Sequence, residues 1–156
     1  MALARTVLAA ALTGTVATFA VTTALGLLAK REGKGALQPV NATSHWLESP
    51  RAGRQRGADL RHTGTGFLTN HGASIFWALP LQFMLSRNAP AGEVAAKAAL
   101  VSGAAALVDY GLMPRRLTPG WEHALGTRGV ATGFFALALG LFAGAMLSQR
   151  LLPGRY

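Results

Sequence analysis

Few side chains in this sequence are suited to proton transfer or metal ligation. They are the four histidines, His45, His62, His71 and His123, together with Asp109 and Glu122. Neutral imidazoles and carboxylates ligate borderline metals and haem iron, and histidine exchanges protons near neutral pH. His71 and His45 are the first candidates as metal ligands. The spacing offers no His-x-x-His, no His-Glu-x-x-His and no Glu-x-x-His, so the strong metal signatures are missing. The six residues come from three separate regions, and only the fold can assemble them. The favoured reading is a hydrogen-bonded structural cluster, of the kind that fixes how a core packs. Cysteine is absent, which excludes disulfides, cysteine-ligated iron–sulfur or zinc sites, c-type haem attachment and S-palmitoylation.

The elements that must position these residues are strongly apolar. Of 156 residues, 51% are hydrophobic and 13% charged, which leaves too few charges for an ordinary soluble surface. One domain, residues 1–156, is expected. Residues 6–29, 67–86, 93–112 and 125–147 are each close to the roughly 20 helical residues that cross a hydrocarbon core. The expected fold class is an all-α integral membrane four-helix bundle, with short interfacial helices in the first and third loops. Residues 30–66 form its long polar loop.

The second span carries the chemistry-bearing stripe. At about 100° per residue, His71, Ser74, Ala78 and Gln82 share one side of the helix and Phe76 and Phe83 the other. Lipid satisfies no polar stripe, so the other helices must. Pro80 removes a backbone donor at mid-span and predicts a kink. Thr63-Gly64-Thr65-Gly66 reads as a flexible hinge before it.

The remaining helices read as packing surfaces. Gly14, with Ala10 and Ala17 or Thr18, would let a neighbour approach the first helix closely. The fourth carries Gly129-x-x-x-Gly133 and Gly140-x-x-x-Gly144, a doubled small-residue motif for tight helix packing. Asp109 shares a face with Ser102, Ala105 and Ala106, with Arg115 as its candidate ion-pair partner. Asn41 or Thr43 would cap a short helix in the first loop. Thr118-Pro119 reads as a helix start, with a Pro-Gly type II turn as the competing reading. Trp46 and Trp121 suit the membrane interface.

The net charge of +9 does not mark a nucleic-acid binder, because the basic residues flank apolar spans and form no basic face with interleaved aromatics. They read instead as topology signals and contacts to anionic lipid headgroups. Lys30, Arg31, Lys34, Arg51, Arg54, Arg56, Arg61, Arg115, Arg116 and Arg128 belong to the loop side. Arg5, Arg87, Arg150 and Arg155 belong to the terminal side, with Lys97 just inside the third span. The positive-inside rule then places loops 30–66 and 113–124 in the cytoplasm and both termini in the periplasm. All four histidines, Asp109 and Glu122 fall on the loop side or in the adjacent leaflet.

Three blocks carry a resemblance. They are Asn41-Ala42-x-Ser44-His45-Trp46, His62-Thr63 with His71-x-Ala73-Ser74-x-Phe76-Trp77, and Asp109-Tyr110-x-x-x-Pro114-x-Arg116-Leu117-Thr118-Pro119-Gly120-x-Glu122. Together they resemble a family of small, uncharacterised four-helix inner-membrane proteins of Gram-negative bacteria. The similarity covers most of residues 35–125, and the first and last helices match only in hydrophobicity. The family often opens the second span with paired histidines, where this chain has Asn70 and His71. The resemblance implies the topology and an inner-membrane location, and carries no activity.

Three functional expectations follow. The first is a non-enzymatic accessory or scaffold protein, with the glycine-rich fourth helix packing within the bundle, against a second copy or against a membrane partner. The second is a metal- or haem-binding protein using the histidine cluster. The third is a small transporter or channel subunit with His71, Ser74 and Gln82 along a polar path. No cofactor is specified by any motif.

Overall fold

The computed structural model describes residues 2–152. Among these, regular structure is entirely helical. Four long helices and one short one form the fold: α1 (Ala2–Arg31), α2 (Gln38–Thr43), α3 (Thr65–Met84), α4 (Ala91–Leu107) and α5 (Glu122–Leu151). Three helical stretches are long and apolar enough to cross a membrane, Leu3–Arg31, Ala91–Leu112 and Glu122–Leu151. Helix α3, expected as the second span, is not among them. Asn70, His71 and Gln82 lower its hydropathy, and these same residues are the ones it turns toward neighbouring elements.

Helix α1 packs between α3 and α5, and α4 lies against α5 and α3. The α1–α5 register is antiparallel and regular. A Cβ added at Gly140 would stand 2.5 Å from Ala17 Cα, and one at Gly144 2.7 Å from Thr13 Cα. Arg5 closes the same seam by donating from Nε to the Leu152 carbonyl at 2.9 Å. On its other side α1 offers Gly14, where a Cβ would fall 2.5 Å from Ile75 Cα on α3. Backbones approach this closely only where side chains vanish, as small-residue motifs allow. The glycine face of α5 is therefore filled from within the chain: α1 covers Gly140 and Gly144, and the Trp121 ring sits over Gly133.

The polar stripe of α3 meets α1 and α5. Gln82 donates to Thr13 Oγ1 at 2.9 Å and approaches Ser148 Oγ at 3.4 Å. Large apolar side chains, by contrast, stand exposed on the outside of the long helices. They include Phe19 on α1, Phe76 and Phe83 on α3, Leu100 on α4, and Phe135 and Leu139 on α5. An apolar exterior around a polar-buttressed interior suits a lipid surround rather than water.

The long first loop is largely ordered into short helices. It folds into a packed cap over one end of the helices. Every residue of α2 is buried, so α2 is a core element and not an amphipathic surface helix. Asn41 and Thr43 lie inside α2 rather than capping it; Leu37 is its first flanking residue, and Pro39 sits in its first turn. Asn41 is fully satisfied. Its Nδ2 donates to the carbonyls of Gln55 (2.8 Å) and Gly57 (3.0 Å), and its Oδ1 accepts from Thr63 Oγ1 (2.7 Å). Gln38 ties the same loop together, donating to the Gly53 carbonyl at 3.0 Å and accepting from Gly35 N–H at 2.7 Å. The expected hinge at 63–66 is instead a π-helical turn, Leu60–Gly64, running directly into α3. At Gly66 the Val40 carbonyl would lie 1.9 Å from an added Cβ, so this glycine admits α2 rather than loosening the chain.

Two turns at this end differ from their expected form. Thr118-Pro119 does not open a helix: α5 starts at Glu122. Gly120 has φ +83°, the left-handed value that the third position of a Pro-Gly type II turn requires. Helix α5 then breaks at Gly126, with φ 60° and ψ −154°, a conformation essentially restricted to glycine. The break leaves the Ala124 carbonyl to Lys34, whose Nζ donates to it at 2.7 Å.

Candidate functional site

The six titratable residues all lie at or near the capped end, but no three His, Asp or Glu side chains among the described residues are grouped to hold a metal ion. His45 is buried, and its Nδ1–H donates to the Ala42 carbonyl at 2.9 Å while Nε2 lies 3.5 Å from the Arg115 carbonyl. Its ring meets His123 edge-on at 4.9 Å. His62 donates from Nδ1 to Asp59 at 2.9 Å, and the same carboxylate accepts the His62 backbone N–H at 2.5 Å. These bonds hold the Asp59 carboxyl below its ordinary range. Glu48 is held low in the same way by the two-pronged Arg61 guanidinium at 2.6 and 2.7 Å. Glu122 accepts from Tyr110 Oη at 2.5 Å and lies 2.8 Å from Thr118 Oγ1.

His71 faces α1. Thr18 spends its one hydroxyl proton on the Gly14 carbonyl (2.8 Å), so its oxygen accepts from His71 Nδ1–H at 3.1 Å. That fixes the tautomer, and the ring stacks on Phe67 at 6.0 Å. Each histidine is thus engaged in a local structural contact, and His71 and His45 belong to different ones.

Asp109 is the exception. Helix α4 ends in a π-helical turn, Val108–Leu112, which places the carboxylate on the wall of a cavity of about 630 Å³. It has no hydrogen bond or ion pair among the described residues, and the expected pairing with Arg115 is not made. The cavity lies between α3 and the end of α4. Thr43 and Trp46 of the cap, Pro119 and Trp121 of the turn before α5, and Phe134 of α5 contribute to its wall as well. Exposed Leu68, Phe76 and Met113 are its lining residues on the outside of the helices, so its mouth opens sideways between α3 and α4. Asn70, Thr69 and Ser74 add polar atoms to an otherwise apolar lining.

The cavity collects residues that the sequence scatters. Ser74 and Asp109 were among the candidates, whereas Gln82 lies with a separate polar group near Arg5 and Ser148. Trp77, Phe134, Asn70 and Thr69 were not marked as site residues, and Trp46 and Trp121 were assigned to the membrane interface. Trp121 is instead buried, edge-on to Phe134 at 5.4 Å, and Trp46 Nε1 donates to the Thr118 carbonyl at 2.7 Å. One partial signal was available: Trp46 and Trp77 are matched residues of the first two sequence blocks, whereas Trp121 stands at an unmatched position of the third. Fold and site define an all-helical protein with three membrane-length apolar helices and a capped side cavity. Comparison with protein-family models, curated proteins and solved structures gives no match to this chain.

Proposed function

We propose that this chain is a four-pass protein of the bacterial inner membrane, non-enzymatic, that serves as an accessory subunit by holding an apolar ligand from the bilayer in its side cavity. Helix α3 is the fourth crossing. Its polar residues are bonded to α1 and α5 or line the cavity, while Phe76 and Phe83 face outward. The basic loops around the cap support a cytoplasmic cap and periplasmic termini, with anionic headgroups beside the loops. The glycine face of α5 serves the chain's own packing, which favours a bundle stabilised from within over a dimer built on that helix.

The cavity carries this reading. At about 630 Å³ it has the size of a small-molecule site, and its mostly apolar wall with a few polar groups is the usual composition of one. All three tryptophans of the chain line it, so intrinsic fluorescence reports its occupancy. A single-chain brominated amphiphile titrated into protein in nanodiscs is expected to quench the tryptophans saturably. Gly72 lines the cavity with nothing within 4 Å of an added Cβ, so Gly72→Leu starts a bulky apolar side chain from an open position in the lining and is expected to weaken the saturable component. Unsaturable quenching, equal in both proteins, would refute the binding role.

A further inference from the structure

The lining of the side cavity is charge-selective. The chain has 15 lysines and arginines, yet no basic side chain lines this space, and Asp109 is its one titratable group. The carboxylate is about half-buried and unpaired. Trp46, Trp77 and Trp121 line the same cavity from three different parts of the chain, with Phe76 and Phe134 adding further rings. A carboxylate and aromatic rings lining one largely apolar cavity are the chemistry that recognises organic cations, because ring faces and the anion both attract a diffuse positive charge.

We propose that the occupant of the cavity is a hydrophobic ammonium ion, one positive charge on an apolar body, with its charge against Asp109. This rests on the binding role above and narrows it to a chemical class. An anionic amphiphile would place its charge against the carboxylate with no basic residue to offset it. A zwitterionic phospholipid would bring a phosphate whose charge no basic residue of the lining offsets. A neutral chain would leave Asp109 in an apolar cavity without a partner, which is costly at membrane depth. The ammonium alone completes the site.

The test uses three brominated probes of one chain length, octadecylamine, octadecanol and octadecanoic acid, with brominated phosphatidylethanolamine as a fourth. Tryptophan quenching is read in nanodiscs for wild type and Asp109→Asn. The expected order is amine well ahead of alcohol, with the acid and the phospholipid weakest. The amine's advantage over the alcohol is expected to be roughly ten- to a hundredfold, the worth of a charge-assisted hydrogen bond. In Asp109→Asn that advantage collapses toward unity while alcohol binding is kept. Equal binding of amine and alcohol in wild type would overturn the cation assignment and leave the binding role standing. Phospholipid binding ahead of the amine would overturn it in favour of a headgroup site. Saturation by none of the four would refute both. Should Asp109→Asn fail to fold, the order of the probes on wild type decides alone.

Discussion

The seam between α1 and α5 allows a sharp prediction at Gly140. Replacing it by alanine adds one methyl carbon 2.5 Å from Ala17 Cα and 2.9 Å from Ala20 Cβ. Carbon atoms in contact settle at roughly 3.5 Å or more, so the two helices must part by about 1 Å. The near atom is backbone and cannot swing aside. A radial gap of that size forfeits a quarter to a half of the local dispersion energy, and overpacking of this kind costs about 1–3 kcal/mol. Gly144→Ala asks for the same separation, against Thr13 Cα at 2.7 Å. The double substitution should therefore cost less than the sum of the singles. The control is Gly103→Ala on α4, where nothing lies within 4 Å. Reversible unfolding in mixed detergent micelles, followed by helical circular dichroism, gives the stabilities of the four variants. Gly140→Ala indistinguishable from Gly103→Ala would refute the close-packed seam.

Three further outcomes follow from the capped end. Gly126→Ala should destabilise by about 1–3 kcal/mol although the space around it is open, because φ is 60° there; the same unfolding measurement checks it against Gly103→Ala. Asn41→Leu leaves two carbonyls and a hydroxyl without their partners and should cost about 2–4 kcal/mol. The change should appear as faster proteolysis within residues 48–60, and unchanged cleavage would remove Asn41 from its central place in the cap. The Asp59 and Glu48 carboxyls are both depressed, so the stability they lend is complete above the unfolded carboxylate range near about 4 and is lost as pH falls through their folded values. Amide exchange in residues 48–64 should accelerate on acidification in that window, and Asp59→Asn should flatten the dependence.

The helices were legible because hydrophobic runs of membrane length leave little alternative to a helix. Gly14 and the Gly140/Gly144 pair lie where α1 comes near α3 and α5, and close helix approach is the common use of small residues at that spacing. The cap was not legible. Its stability comes from Asn41 and Gln38 bonding to backbone carbonyls 14 to 16 residues away, and from Thr63 donating to the Asn41 side chain 22 residues back, a pattern with no periodic signature. Asn41 and Thr43 therefore looked like helix caps, and Gly66 looked like a hinge although it is a crossing point. The histidines attracted attention by type, and the fold gave each a local partner. Asp109 read as one of six candidates with Arg115 as its partner, and its surroundings depended on the π-helical turn ending α4, on Trp77 of α3 and on Trp121 from the turn before α5. Tertiary geometry, not residue type, made that site.

The central claim is that α3 crosses the bilayer with the three more apolar helices, holding the cavity at the cytoplasmic end. The native absence of cysteine makes single-cysteine accessibility a direct test. Arg54→Cys in the cap and Asn88→Cys in the turn between α3 and α4 lie at opposite ends of α3, and both native residues are exposed. In intact spheroplasts a membrane-impermeant maleimide is expected to label position 88 and not 54, and in inverted vesicles the pattern should reverse. Labelling of both positions from one side would contradict the four-pass arrangement and the side cavity's place in the membrane.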